Sequence, residues 1–158
     1  MIFVTVGTHP IGFERLVKEM DEIASKVSEE VIIQIGASKY IPKNAKYFAF
    51  ADQHEIRELC RKARVVVTHG GVGTILDVLR EGRPAVVVPR LKEYGEVIDD
   101  HQSYLVRELE KQGKVVGVYD VKQLEEALRI VDMKPPPFAR DERLVNSLKR
   151  YIALFERS

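Results

Sequence analysis

Short apolar runs alternate with helical patterns along the chain. Residues 2–6 ("IFVTV") are β-rich and end at Gly7-Thr8. Residues 31–35 ("VIIQI") form a second such run, stopped by Gly36, and 46–50 ("KYFAF") a short third. Residues 64–69 ("RVVVTH"), 84–89 ("PAVVVP") and 114–119 ("KVVGVY") supply three more. Between them the period changes from 2 to 3.6. Phe13, Leu16, Val17, Met20, Ile23 and Ala24 share one helical face, as do Ile56, Leu59, Cys60 and Ala63. Residues 72–82 read as a helix ended by Gly82, 99–113 as one closed by Gly113, and 121–131 as another. "KPPPF" then breaks the pattern, because three prolines cannot continue a helix. Leu144, Leu148, Ile152 and Phe155 return at helical spacing in a final segment, 141–156, with Tyr151 beside the stripe. That stripe packs on its own sheet or docks a partner.

Unbroken Val/Ile runs imply strands buried on both faces, hence a parallel sheet covered by helices. Strand–helix alternation predicts an α/β fold: one doubly wound, Rossmann-like domain over residues 1–158, with six parallel strands. No internal repeat, low-complexity tract or flexible linker interrupts it.

Composition narrows the functional classes. The 158 residues suit one domain, and a net charge of +1 gives no field that would favour nucleic acid or anionic lipid. A single cysteine, Cys60, allows no internal disulfide; its helical setting reads as core packing, and a reducing cytoplasm is expected. The first residues lack the basic and apolar regions of a signal peptide. No apolar run approaches the ~20 residues of a membrane span.

One stretch carries candidate chemistry. "VVVTHGGVGTILDVLREGRPAVVVPR", 65–90, sets His69-Gly70-Gly71-Val72-Gly73-Thr74 between the fourth strand and a helix. In doubly wound folds ligands sit beyond the carboxyl ends of strands. Glycines permit close backbone approach, and a helix N-terminus presents unpaired N–H groups and partial positive charge to a phosphate. A tight turn without a ligand would use the same glycines; the neighbouring His69 and Thr74 favour phosphate. No Lys follows, so this is not a P-loop. Its place on the fourth strand, spelled G-G-x-G, makes it a poor dinucleotide fingerprint.

The same stretch resembles the donor-sugar motif in the C-terminal half of GT-B glycosyltransferases. It is most similar to the glycosyltransferase family 28 C-terminal domain, including the short Alg13-like chains. "VTVGTHPIGFERLV" resembles the Alg13-like opening, and "DDHQ" follows the fifth strand as the family's His-Gln motif does. The resemblance implies that Gly70, Gly71, Val72, Gly73 and Thr74 hold a donor diphosphate, with Gly7 and Thr8 bordering it. It implies that Asp77, where the family usually has Glu, binds the ribose hydroxyls. It also implies that Phe50 and the Ala51 backbone meet uracil, and that His101 and Gln102 touch the sugar. As a core residue Phe50 would close a strand end, and Asp77 would be a solvated helix residue. His69 contacts the phosphates or bonds its own turn. Arg90, at the fifth strand's carboxyl end, offers a cation to the donor. His9 reads as a surface loop residue.

The implied function is the donor-binding catalytic subunit of a two-component, inverting, metal-independent glycosyltransferase. Its donor would be UDP-N-acetylglucosamine, its acceptor lipid-linked or a polysaccharide. The chain has no Asp-x-Asp, and no cofactor or metal is expected. A membrane-anchored Alg14-like subunit would bind the acceptor and bring the base, so the chain would be cytoplasmic and reach the membrane only through that partner. Self-association stays open. The competing readings are a stand-alone nucleotide-sugar-binding regulatory module, an epimerase-type GT-B relative and an adenine dinucleotide protein. Short length counts against the second and the misplaced glycines against the third.

Overall fold

A computed structural model describes residues 1–132, 146, 148–150 and 153. Six strands, β1 (Ile2–Thr5), β2 (Val31–Gln34), β3 (Lys46–Phe48), β4 (Val65–His69), β5 (Ala85–Val88) and β6 (Val116–Gly117), form one sheet. Every pairing is parallel and the order is β3-β2-β1-β4-β5-β6. The expected doubly wound, Rossmann-like α/β fold is therefore observed.

Period-2 alternation divides the strands between two cores. Ile2, Val4, Val65, Val67, Val86 and Val88 face α1 (Glu14–Ala24) and α5 (Leu124–Val131). Phe3, Val66, Ala85 and Val87 face α2 (Gln53–Lys62), α3 (Val72–Arg80) and α4 (His101–Lys111). Both faces of the central strands are dry, which explains their unbroken Val/Ile sequences. Cys60 lies fully buried in the second core, and burial pushes its thiol up to about 12, as a packing role requires.

Several expected boundaries are shorter. β1 stops at Thr5, β3 at Phe48, and β6 keeps two residues of the 114–119 run. The 121–131 helix opens with a 3-10 turn, Val121–Gln123. The expected terminal helix at 141–156 lies mostly outside the described residues; among those, Leu148 is buried in the second core.

The sheet order reverses between β1 and β4, opening a crevice at their carboxyl ends. Register brings Gln34, Thr5 and Thr68 side by side there. Three central strands thus end in one row of buried polar residues.

Candidate donor site

The crevice holds a pocket of about 320 Å³, of the size that takes small ligands. Thr5, Gly7, Thr8 and Gln34 form one side, and Phe50, Ala51, Gln53 and Ile56 the second; Gly73, Thr74 and Asp77 close it from α3. Of the expected site residues, Gly7, Thr8, Phe50, Ala51, Gly73, Thr74 and Asp77 are brought together here. His69, Gly70, Gly71, Val72, Arg90, His101 and Gln102 do not line this pocket.

The floor is built by Gln34. Its side chain is buried, and Oε1 accepts hydrogen bonds from Thr5 Oγ1 (2.7 Å), Val6 N (3.0 Å) and Gly7 N (3.1 Å). Nε2 donates to the carbonyls of Gly7 (3.1 Å) and Ala49 (2.9 Å). One amide therefore fixes the β1 loop against the segment carrying Phe50 and Ala51. A capping box opens α2 directly after that segment: Asp52 Oδ1 accepts from Glu55 N at 2.9 Å, and Asp52 N donates to Glu55 Oε2 at 3.3 Å. Phe50 itself is 56% exposed, so it is a pocket wall and not the core residue that its strand-end position allowed.

Three of the glycines answer to neighbouring side chains. A Cβ on Gly71 would lie 2.1 Å from His69 Cε1, and one on Gly70 2.7 Å from Gln102 Cβ. Gly7, at φ +77°, would place a Cβ 2.5 Å from His69 Nε2. The imidazole is thus gripped between two glycines. Gly73 differs, because a Cβ there would meet nothing within 4 Å. Its missing side chain leaves open space beside the pocket.

Hydrogen bonds divide the turn in the same way. Gly70 N donates to Gln102 Oε1 (3.1 Å) and Gly71 N to His69 Nδ1 (3.1 Å). These two amides are engaged, which corrects the expectation that the whole glycine run faces a diphosphate. The α3 N-terminus has no side-chain cap, so the amides of Val72, Gly73 and Thr74 have no intrahelical acceptor. Burial pushes His69 down to about 3, with Arg90 and His9 adding repulsion, so its ring is neutral. Because Nδ1 accepts from Gly71, the ring proton belongs on Nε2, 3.4 Å from Thr74 Oγ1. Thr74 Oγ1 then accepts that proton's hydrogen bond, which leaves its own O–H available as a donor.

Asp77 is nearly buried rather than solvated. Gln53 Nε2 donates to its Oδ2 (3.2 Å), and Arg57 lies 3.3 Å from Oδ1. The carboxylate thus stands on the pocket, oriented by two α2 side chains.

Arg90 departs from expectation. It is 1% exposed, and its guanidinium donates to the carbonyls of Ile11 (3.0 Å), Gly12 (3.2 Å), Val6 (3.3 Å) and Glu96 (3.4 Å) beneath the Phe13 ring. It braces the β1–α1 loop from below and does not reach the pocket. Gln102 bridges Gly70 N and Arg90 N (3.0 Å) through Oε1. His101 is exposed at the start of α4, with Nδ1 3.3 Å from Asp99. Sequence reasoning missed Gln34, Gln53 and Arg57. A lone Gln within the run "VIIQI" was the available signal for the first.

Fold and site together define a doubly wound α/β domain with an anion-ready crevice at its switch point. A family model, the glycosyltransferase family 28 C-terminal domain, matches residues 1–153, and the chain belongs to that family. The human protein "UDP-N-acetylglucosamine transferase subunit ALG13" is 30% identical over 123 residues, covering 71% of this chain and 10% of that protein. "UDP-glucuronosyltransferase 3A1" of Xenopus laevis is 25% identical over 172 residues, covering 96% and 32%. The chain thus spans a tenth and about a third of these relatives. Among solved structures, the solution structure of ALG13 superposes with a TM-score of 0.64 at 21% identity, covering 93% of this chain and 94% of that one; this is a likeness of fold.

Proposed function

We propose that the chain is the donor-binding catalytic subunit of a glycosyltransferase, and that the crevice binds a UDP-sugar, UDP-N-acetylglucosamine foremost. The observation that carries this reading is the α3 N-terminus. Three unpartnered amides and the Thr74 hydroxyl stand at the switch-point pocket, where a diphosphate would gain hydrogen bonds and the helix dipole. The printed names of both relatives share UDP and differ in the sugar, so the nucleotide is better supported than the hexose.

In this reading Phe50 flanks uracil and the Ala51 backbone pairs with it. Asp77, aimed by Gln53 and Arg57, accepts from the ribose hydroxyls. Val72, Gly73 and Thr74 hold the diphosphate, with Gly7 and Thr8 on the far side. His69 acts through Thr74, and Gln102 keeps its Nε2 hydrogens for the sugar beside His101. Charge that develops on the leaving diphosphate is met by fixed amides, which supports metal-independent transfer. Asp77 is the one carboxylate lining this crevice among the described residues, and it is engaged by α2. A base for the acceptor hydroxyl would then come from a separate, membrane-anchored, Alg14-like subunit that binds a lipid-linked or polysaccharide acceptor. Reaction would proceed with inversion, on the cytoplasmic face. No helix among the described residues is long and apolar enough to cross a membrane.

Calorimetric titration with UDP, ADP, UDP-N-acetylglucosamine, UDP-glucose and UDP-glucuronic acid tests this, repeated on Gly73→Leu. UDP-selective binding lost in the variant is the expected result. Equal affinity for ADP, or no binding with or without a co-expressed partner, would refute it.

A further inference from the structure

A second cavity, of about 430 Å³, opens beside α4. Asp100, Ser103, Tyr104 and Arg107 line it from one helical face, at positions i, i+3, i+4 and i+7. Leu91 and Glu93 form the facing wall, and Tyr119, just past β6, closes the end. Gln102 contacts the glycine turn while Ser103, the next residue, lines this cavity. The first turn of α4 therefore links the glycine turn to this cavity.

The lining is built for a ligand with both hydrogen-bond donors and acceptors. Ser103 is 5% exposed, and its buried Oγ has no partner. Native side chains of that kind are nearly always satisfied, so a buried hydroxyl on a cavity wall points to an absent group. The Tyr119 hydroxyl is buried as well, with Arg107 and Glu110 beside it. Tyr104 is 64% exposed at the rim, and the Arg107 guanidinium lies 5.3 Å from the Tyr119 ring centroid. Two carboxylates and one guanidinium of opposite sign argue against a strongly charged ligand. The exposed Tyr104 face, beside hydroxyl, carboxylate and guanidinium groups, suits a polyhydroxylated ring: its C–H face would pack on Tyr104 while its hydroxyls would meet Ser103, Asp100 and Arg107.

We propose that this cavity is a carbohydrate subsite that receives a sugar unit of the acceptor. The sugar-binding assignment stands on the cavity's own geometry; the acceptor role rests on the donor reading above. The chain would then hold part of its acceptor as well as its donor.

The test uses the purified chain in two-dimensional amide NMR. UDP is added first, then N,N′-diacetylchitobiose, cellobiose or glucuronic acid up to tens of millimolar. At least one saccharide should shift the amides of Leu91, Tyr104, Arg107 and Tyr119 in the presence of UDP. UDP alone should shift those of Gly7, Thr8, Gly73 and Thr74. Tyr104→Ala, an exposed change that spares the core, should weaken saccharide binding about fivefold or more and leave UDP affinity within about twofold. Ser103→Ala should weaken it to a similar degree. Saccharides that shift no residue on this face, or shift it equally in both variants, would overturn the proposal. Failure of UDP to bind while saccharides still bind here would overturn the donor reading and leave this subsite standing.

Discussion

Alanine at Gly73 should make the protein more stable and a poorer binder. Gly73 sits in the first turn of α3, and an added Cβ meets nothing within 4 Å. The substitution removes backbone freedom from the unfolded chain without steric penalty, a gain of about 0.5–1 kcal/mol. For a chain of this size that corresponds to a rise in Tm of roughly 1–4 °C. The new methyl group occupies space where a diphosphate would approach the Gly73 and Thr74 amides. Affinity for UDP should fall about tenfold or more, ~1.4 kcal/mol, and Gly73→Leu should abolish it. Gly71→Ala gives the opposite stability signature. Its Cβ would fall 2.1 Å from His69 Cε1, and the ring cannot retreat because Gly7 closes its other side. That overlap should destabilise by about 1–3 kcal/mol. Thermal unfolding and calorimetric titration on the same samples separate the two cases. Unchanged UDP affinity in Gly73→Ala would refute the diphosphate placement, and neutral stability in Gly71→Ala would refute the packing account of the glycine pair.

Other expectations follow from the same contacts. Wild-type protein should prefer UDP to 2′,3′-dideoxy-UDP, and Asp77→Asn should erase that preference; equal loss for both nucleotides would remove the ribose role. His69 should stay neutral in the folded state across pH 5–8, observable in its ring NMR signals. The unfolded chain binds that proton near pH 6.5 whereas the folded chain resists it to about 3. Stability from this group is therefore intact above about pH 6.5 and declines as pH falls, by on the order of a few kcal/mol. His69→Gln should flatten that portion of the urea-stability profile. Asp21→Ala should destabilise by about 2–4 kcal/mol, because the buried Asp21 carboxylate accepts from the amides of Lys43, Asn44 and Ala45 and from Tyr40 Oη. Burial raises the Asp21 pKa, but those hydrogen bonds outweigh it and leave the group lowered, so its contribution is present above about pH 4 and lost on further acidification. Native Cys60 should resist thiol reagents until the chain unfolds, since its thiol is buried and raised to about 12.

The apolar runs marked all six strands because each central strand is buried on both faces. Helical periodicity marked α1 to α4 for a related reason: one face of each packs against the sheet. Strand ends were less legible. Where β1 and β3 stop is decided by the Gln34 amide, which captures Gly7 and Ala49, and such a long-range bond leaves no local trace. The glycine motif lies at the sheet edge that holds the crevice, yet the motif did not give the reason for each glycine. Only the packed fold shows that Gly7, 62 positions before His69 in the chain, closes on the same ring as Gly71. Arg90 was misjudged because a cation at a strand's carboxyl end ordinarily looks outward. Here the β1–α1 loop folds over it, with four carbonyls in place of solvent. Nothing local in the sequence marks Asp21 as buried; the amides of the 40–45 loop close on its carboxylate.

The grip of Gly7 and Gly71 on His69 also constrains inheritance. Neither glycine can acquire a side chain while the imidazole stays, and loss of the imidazole strands the Gly71 amide and Thr74 together. Three positions scattered in the gene therefore mutate as one unit, with the ring as gatekeeper. A lineage that replaced His69 by a smaller residue would release Gly71, while Gly7 would stay glycine for its φ of +77°. The residue at position 71 in distant descendants would then record whether the histidine had ever been lost.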